Sequence, residues 1–113
     1  MAISQAMCTS FKVQLLNGIH AFSTTVARAD TTADTFKVAL YTSSASLGAT
    51  TTAYGTSNEV TGTNYTAGGN TLSVVAPTSS STTAFLDFSD TTWSSATITA
   101  NGALIYNDTQ GLG

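Results

Sequence analysis

The sequence predicts a mainly β protein, an antiparallel β-sandwich or jelly-roll-like domain with one short helix near the N-terminus. Three observations predict this fold class: the composition, a change of hydrophobic period at Phe36, and an Asn-Gly pair near the C-terminal end. Of 113 residues, 23 are Thr and 14 are Ser, 42% are hydrophobic and only 8% are charged. Because Thr favours strands and Ser favours turns, this composition indicates β structure. A disordered chain would carry more charge and fewer aromatic residues.

The first element is predicted to be a helix that starts near residue 10. Three apolar residues recur at a spacing of four, which places them on one helical face. They are Phe11, Leu15 and Ile19. Thr9 or Ser10 is a suitable N-terminal cap, and Asn17-Gly18 a suitable stop. The same segment also alternates between apolar and polar residues, so a strand is the alternative.

The chain is long enough for one domain and too short for two. We expect residues 1–9 to form an N-terminal arm, because they are small and polar apart from a few large apolar side chains. Residues 10–113 form a single β domain, within which 23–35 reads as a polar linker.

From Phe36 onward the hydrophobic period is two, which predicts strands. The clearest strand candidates are 36–41, 72–76 and 84–88. Between the first two lies the Ser/Thr-rich stretch 42–58, which is longer than most connections. Loops of that length usually make functional contacts.

The Asn101-Gly102 pair predicts a β-hairpin between the β-rich runs 96–99 and 103–106. A type I′ turn requires positive φ at both central residues, and Asn-Gly supplies this readily. The whole chain then holds about six to eight short strands. Large aromatic residues on these strands are expected to form the core. They are Phe36, Phe85, Phe88, Trp93 and Tyr106.

The charge content argues against several classes of function. Two Lys and one Arg are too few to neutralise a nucleic-acid backbone. No apolar run approaches the length of a membrane span. A nearly uncharged surface suits a chain that packs against other chains, so we expect a homo-oligomer, with a trimer favoured.

Few residues are available for catalysis, and we expect no enzyme activity, no cofactor and no metal. Cys8 and His20 lie on one early segment, but no third residue is evident to orient the pair. Asp87 and Asp90 resemble an acid/base couple or a calcium site, and a strand end followed by an Asp-Ser turn explains them more simply.

Six segments in combination resemble a family of small Thr/Ser-rich virion structural proteins of tailed bacteriophages. They are 36–42, 53–60, 65–69, 83–88, 93–98 and 102–107. The resemblance covers residues 9 to 107 and implies a protein made in the host cytoplasm and located in the virion. It also implies one or two further strands after 102–107.

The resemblance implies a non-enzymatic role, most simply capsid decoration or cementing, with major capsid or tail proteins and other copies as partners. A tail, neck or fibre component is one alternative. A carbohydrate-binding or host-adhesion module is another, with an aromatic platform of Tyr41, Tyr54, Tyr65 and Trp93.

Partner contacts are expected from the arm and from the loop 42–58. Their apolar residues are sparse, so we interpret them as interface rather than core. They are Ile3, Met7, Leu47 and Tyr54. Burying such a side chain contributes roughly 1.5–3 kcal/mol.

Overall fold

The computed structural model describes residues 3–23 and 33–112. The predicted mainly β fold with one short helix is confirmed, whereas the sandwich arrangement stays a prediction. Most of the predicted linker 23–35 lies outside the described residues. The elements are α1 (Thr9–Leu16), β1 (Phe36–Tyr41), β2 (Asn70–Leu72), β3 (Val74–Ser80), β4 (Thr83–Phe88) and β5 (Gly102–Asn107).

Strand β1 is the centre of a three-stranded antiparallel sheet with the order β2-β1-β5. Its whole length pairs with β5, from Phe36 opposite Asn107 to Tyr41 opposite Gly102. On its other side β1 pairs with the short β2. Strands β3 and β4 form a separate two-stranded antiparallel sheet, with a register shift between Val75 and Thr78. This shift accommodates Pro77, which has no amide hydrogen to donate.

Alternate side chains of β1 point to opposite sides of the three-stranded sheet, and apolar residues on both sides are buried. One face carries a cluster that includes Ala39, Tyr41, Leu104 and Tyr106. The other carries Phe36, Val38 and Leu72, against which Phe22, Val74, Phe88 and Trp93 pack. The sheet therefore lies between two apolar clusters instead of exposing one face to water.

The predicted aromatic core is partly correct. Phe36 and Tyr106 are buried, and Phe88 and Trp93 are half-buried against the Phe36 cluster. The prediction is wrong for Phe85, which is 47% exposed. Phe85 points to the opposite face of β4 from Phe88, because the two are three residues apart, and only the Phe88 face meets the core.

Helix α1 is confirmed; it ends at Leu16, and its C-cap Asn17 is followed by Gly18 with a φ of +70°. The predicted cap is wrong: the N-cap is Cys8, and no side chain caps the helix. No residue of α1 is buried, and Leu16 is 91% exposed. The helix therefore lies on the domain without contributing a buried face.

The hairpin predicted at Asn101-Gly102 is wrong. Gly102 starts β5, whose partner is β1, and neither residue has positive φ. The amide of Asn101 donates to the carbonyl of Tyr41 at 2.8 Å, and Thr97 pairs with Thr63 instead. Pairing with β1 buries Leu104 and Tyr106 in the core, which a local hairpin would not achieve.

The expectation that the arm and the loop 42–58 stay off the core is also wrong. Ile3 forms a parallel bridge with Leu47, and both pack with Tyr54 against the Tyr41–Tyr106 cluster. The amide of Ser4 donates to the carbonyl of Leu47 at 3.0 Å. Only Met7 among the four predicted partner contacts is largely exposed, at 56%. Sparse apolar residues suffice here because the loop folds back over the sheet.

The burial of Phe36 leads to a direct prediction. Phe36→Ala should lower the free energy of unfolding by about 3–5 kcal/mol, because the vacated volume cannot be refilled. Leu16→Ala, a change at an exposed position, should stay within about 0.5 kcal/mol. Urea denaturation of both variants measures this. A Phe36→Ala cost no larger than that of Leu16→Ala would contradict the described core.

Candidate assembly interface

Glu59, the only glutamate of the chain, is buried beside β1 and is held by three donors. The hydroxyls of Tyr54 and Tyr65 donate to its two carboxylate oxygens, and the amide of Gly68 donates at 2.7 Å. The amide of Leu40 in turn donates to the Tyr65 hydroxyl at 2.9 Å. One carboxylate thus ties the excursion between β1 and β2 back to the sheet.

The tyrosines around Glu59 are kept in their neutral form. Burial raises the pKa of Tyr106 to about 12, and the charges of Asp108 and Glu59 add to this effect. Burial raises the pKa of Tyr54 and Tyr65 as well, and their interactions with Glu59 add to it. These side chains are therefore hydrogen-bond donors at neutral pH rather than acids available for chemistry.

A second buried network joins the segment after α1 to the end of β5. The Asn107 side-chain amide donates to His20 Nδ1 at 2.9 Å and to Asp34 Oδ2 at 2.7 Å. Asn107 Oδ1 accepts from the Gln110 amide, which fixes the orientation of the Asn107 side chain. His20 Nδ1 is then an acceptor, so Nε2 carries the hydrogen and donates to Gln14 Oε1 at 2.8 Å.

Both titratable groups of this network have shifted pKa values. Burial lowers the pKa of His20 from its ordinary value of 6.5, and the charge of Asp34 opposes this only in part. Burial acts to raise the pKa of Asp34. Hydrogen bonds from Ala21, Asn107 and Gln110, together with His20, outweigh burial and leave that pKa below its ordinary 3.8.

Three of the residues considered for catalysis make hydrogen bonds to other groups. Both ring nitrogens of His20 are bonded to other side chains, and the Cys8 thiol points to the carbonyl of Gly48 at 3.7 Å. Asp87 is exposed and accepts from the amide of its neighbour Phe88. Within 3–23 and 33–112, no group of three or more His, Cys, Asp or Glu side chains is placed to hold a metal ion.

The aromatic residues considered for glycan binding do not form one exposed platform. Tyr41 is buried, and its hydroxyl donates to the carbonyl of Gly55 at 2.7 Å. Tyr54 stacks on Tyr106 with ring centroids 4.6 Å apart. Tyr65 and Trp93 stack on each other, with centroids 5.8 Å apart, and both are half-buried. These rings fill the domain instead of facing a ligand together.

The exposed apolar side chains lie elsewhere, on α1 and on the β3–β4 hairpin. Leu16 and Val13 are uncovered on the helix, next to Met7. Residues 75–87, which make up nearly all of the hairpin, are exposed, including Val75 and Phe85. A two-stranded sheet has marginal stability alone and needs a third strand or a packing partner. Both elements therefore present apolar surface that another chain can cover.

An apolar groove of about 490 Å³ lies against β5, which is an edge strand of the three-stranded sheet. Five consecutive β5 residues, 103–107, line it. Phe22, Phe36 and Phe88 line it as well, so the groove lies beside the sheet face that carries the Phe36 cluster. Met7, Cys8 and Phe11 also line the groove, as do Leu86 and Phe88 of β4.

The backbone groups of alternate β5 residues lie on the free edge of the sheet. The amide of Asp108 donates to the carbonyl of Thr35, so the antiparallel pattern turns residues 106, 104 and 102 toward β1. The backbone amide and carbonyl groups of Ala103 and Ile105 therefore point away from β1. In the described part of the chain, no backbone group pairs with them. Asn107 also faces outward, but its amide donates to the carbonyl of Leu112 at 2.8 Å.

Comparison of the chain with protein-family models, with curated proteins and with solved structures finds no match. No helix in the described ranges has the length and apolar character needed to cross a membrane.

The two buried networks were missed by sequence reasoning. The available signals were a lone Glu and a lone His in a chain with very few charges.

The Glu59 network predicts a specific loss of stability. Glu59→Gln should lower the free energy of unfolding by about 1.5–3 kcal/mol, because an amide nitrogen replaces one of two oxygens that accept from three donors. Asp87→Asn is the matched control, since that carboxylate is exposed, and it should change little. Denaturant unfolding of both variants at pH 7 gives the comparison. Equal effects would show that Glu59 is not a structural anchor.

The lowered pKa of His20 predicts a loss of stability in mild acid. As the pH falls below 6.5, the unfolded state takes up the proton first, so unfolding becomes more favourable. His20→Gln should remove this dependence between pH 7 and pH 5, because the Asp34 effect begins only below its ordinary value of 3.8. Thermal unfolding at several pH values tests this. Parallel curves for the two proteins would refute it.

Proposed function

We propose that the chain is a non-enzymatic structural protein of a tailed-bacteriophage virion that decorates or cements the capsid shell. The observation that carries the proposal is a contrast between two parts of the domain. One part, which we call the body, is the three-stranded sheet with the loops held by the Glu59 and Asp34 networks; the other is the set of exposed apolar elements. Buried carboxylate networks fix the body, while α1 and the β3–β4 hairpin leave Leu16, Val75 and Phe85 in water.

The lack of charge supports the same proposal. Only 8% of the residues are charged, so few ionic repulsions oppose close packing of copies or of neighbouring shell proteins. Monomeric proteins rarely leave large apolar patches uncovered, and a repeated lattice can turn weak contacts into firm attachment. The resemblance of the six segments to small virion proteins supports the location. A tail, neck or fibre component has the same surface requirements and stays the alternative.

The location and copy number of the protein in intact particles test this proposal. Particles of the phage that encodes the chain are purified, and the chain is quantified by mass spectrometry and located by electron microscopy. We expect a copy number that scales with the shell subunits. A few copies at the tail or neck would favour the alternative, and absence from purified particles would reject both.

A further inference from the structure

We propose that His20 is a pH-dependent switch: its protonation releases the segment 17–22 from the end of β5, while the three-stranded sheet stays folded. This device does not depend on the virion role, because it concerns contacts within one copy of the chain. It also goes beyond the loss of stability expected in mild acid, because it specifies which part of the domain opens and which part does not.

The orientation of the Asn107 side chain dictates the proton state of His20. Asn107 Oδ1 accepts from the amide of Gln110 at 3.1 Å, and Asn107 Nδ2 donates to Asp34 Oδ2 at 2.7 Å. Exchanging the two ends of this amide would place an oxygen against a carboxylate and a nitrogen against an N–H group, so only the observed orientation satisfies both partners. The same Nδ2 lies 2.9 Å from His20 Nδ1, which is therefore an acceptor without a hydrogen.

A protonated His20 cannot keep its contact with Asn107. The imidazolium carries a hydrogen on each ring nitrogen and has no acceptor. Its Nδ1–H group would point at the Nδ2–H group of Asn107, so a hydrogen bond becomes a contact between two donors. Because His20 is only 9% exposed, water replaces the lost partner only if the structure opens.

Asp34 is the charged group that acts on His20 in the described part of the chain, and its carboxylate is already engaged. It accepts from the amide of Ala21 and from the side chains of Asn107 and Gln110. Burial lowers the pKa of His20 more than the charge of Asp34 raises it. The attraction of Asp34 therefore does not compensate for the lost contact with Asn107.

The other side chains packed around the His20 ring are uncharged. They are Gln14 and Phe11 of α1, Phe22, and Phe36 of β1. Two further titratable groups lie nearby, and each has another partner. Cys8 Sγ is directed to the carbonyl of Gly48, and Asp108 pairs with Lys37 at 3.8 Å. None of these groups supplies a counterion for the imidazolium.

The segment 17–22 is the part that opens, because few other contacts hold it to the sheet. The amide of Ala21 donates to Asp34 Oδ2 at 3.0 Å, and the amide of Asp34 donates to the carbonyl of Ala21 at 2.9 Å. Phe22 stacks on Phe36 with ring centroids 4.4 Å apart. Helix α1, which precedes the segment, has no buried residue. The β1–β5 ladder does not include these contacts, so the sheet keeps its pairing when the segment leaves.

Amide exchange of the full-length protein at pH 7 and pH 5.5 tests the proposal. His20 is the only histidine of the chain, and histidine is the side chain whose ordinary pKa lies in this interval. The protection factor of the Ala21 amide should fall severalfold, up to about eightfold, because the open state takes up the proton near its ordinary pKa and the closed state resists it. A fall of less than about twofold would overturn the proposal.

Low concentrations of denaturant separate this opening from unfolding of the whole domain. Local opening exposes little surface, so exchange at Ala21 should hardly respond to denaturant. Val60, whose amide donates to the carbonyl of Leu40 at 2.9 Å, should be better protected and should respond strongly. Equal protection and equal denaturant dependence at Ala21 and Val60 would show that His20 acts only through global unfolding, and the proposal would be wrong.

Two variants isolate the contact between His20 and Asn107. His20→Gln has no titrating ring, so the difference in Ala21 protection between the two pH values should disappear. Gln14→Ala is the matched control. Because Nε2 carries a hydrogen in both forms of His20, loss of this acceptor should leave the pH dependence in place. Retention of the pH effect in His20→Gln, or its loss in Gln14→Ala, would contradict the proposed switch.

Nitrogen NMR of the His20 ring tests the geometry without any substitution. At pH 7 the hydrogen should be on Nε2, and Nδ1 should carry none. A hydrogen on Nδ1 at neutral pH would remove the conflict with Asn107 and overturn the proposal. All of these measurements use purified protein, so their outcome is independent of whether the chain is found in particles.

Discussion

The antiparallel pairing of β1 with β5 is the contact that positions the other parts of this domain. It joins segments that are more than sixty residues apart in the chain and places Leu104 and Tyr106 beside Ala39 and Tyr41. It also brings Asn107 next to the buried His20 and Asp34. Both faces of β1 are covered by apolar clusters, and the cluster with Leu104 and Tyr106 depends directly on this ladder. The same pairing leaves β5 at the edge of the sheet, where the groove forms.

The scarcity of charge gives each buried ionisable group a large role. Glu59 accepts from three donors, so the cost of removing a carboxylate from water is offset by hydrogen bonds. The Asp34 carboxylate likewise accepts hydrogen bonds from Ala21, Asn107 and Gln110. These two networks fix loops that contain little apolar surface. In this chain rich in Ser and Thr, two carboxylates and a small set of aromatic rings therefore hold the body of the domain in place.

Order in the body contrasts with the incomplete packing of α1 and of the β3–β4 hairpin. The helix has no buried residue, and the hairpin touches the core only at its base. In an isolated domain such elements gain little from tertiary packing, which normally supplies most helix and hairpin stability. A protein that functions within a larger assembly can complete these elements with contacts from its neighbours. This is the physical link between the fold and the proposed virion role.

The sequence by itself determined the local features of this protein. Period-two alternation located β1 and β4, the spacing of Phe11 and Leu15 located α1, and Asn17-Gly18 ended it, because these signals depend on neighbouring residues only. The tertiary structure alone decided the pairing. The Asn101-Gly102 signal predicted a local hairpin, but burial of Leu104 and Tyr106 against β1 outweighed the turn preference. It also decided that Phe85 is exposed while Ile3 and Tyr54 pack on the core, because burial depends on which face meets another element, and strand pattern alone does not specify that face.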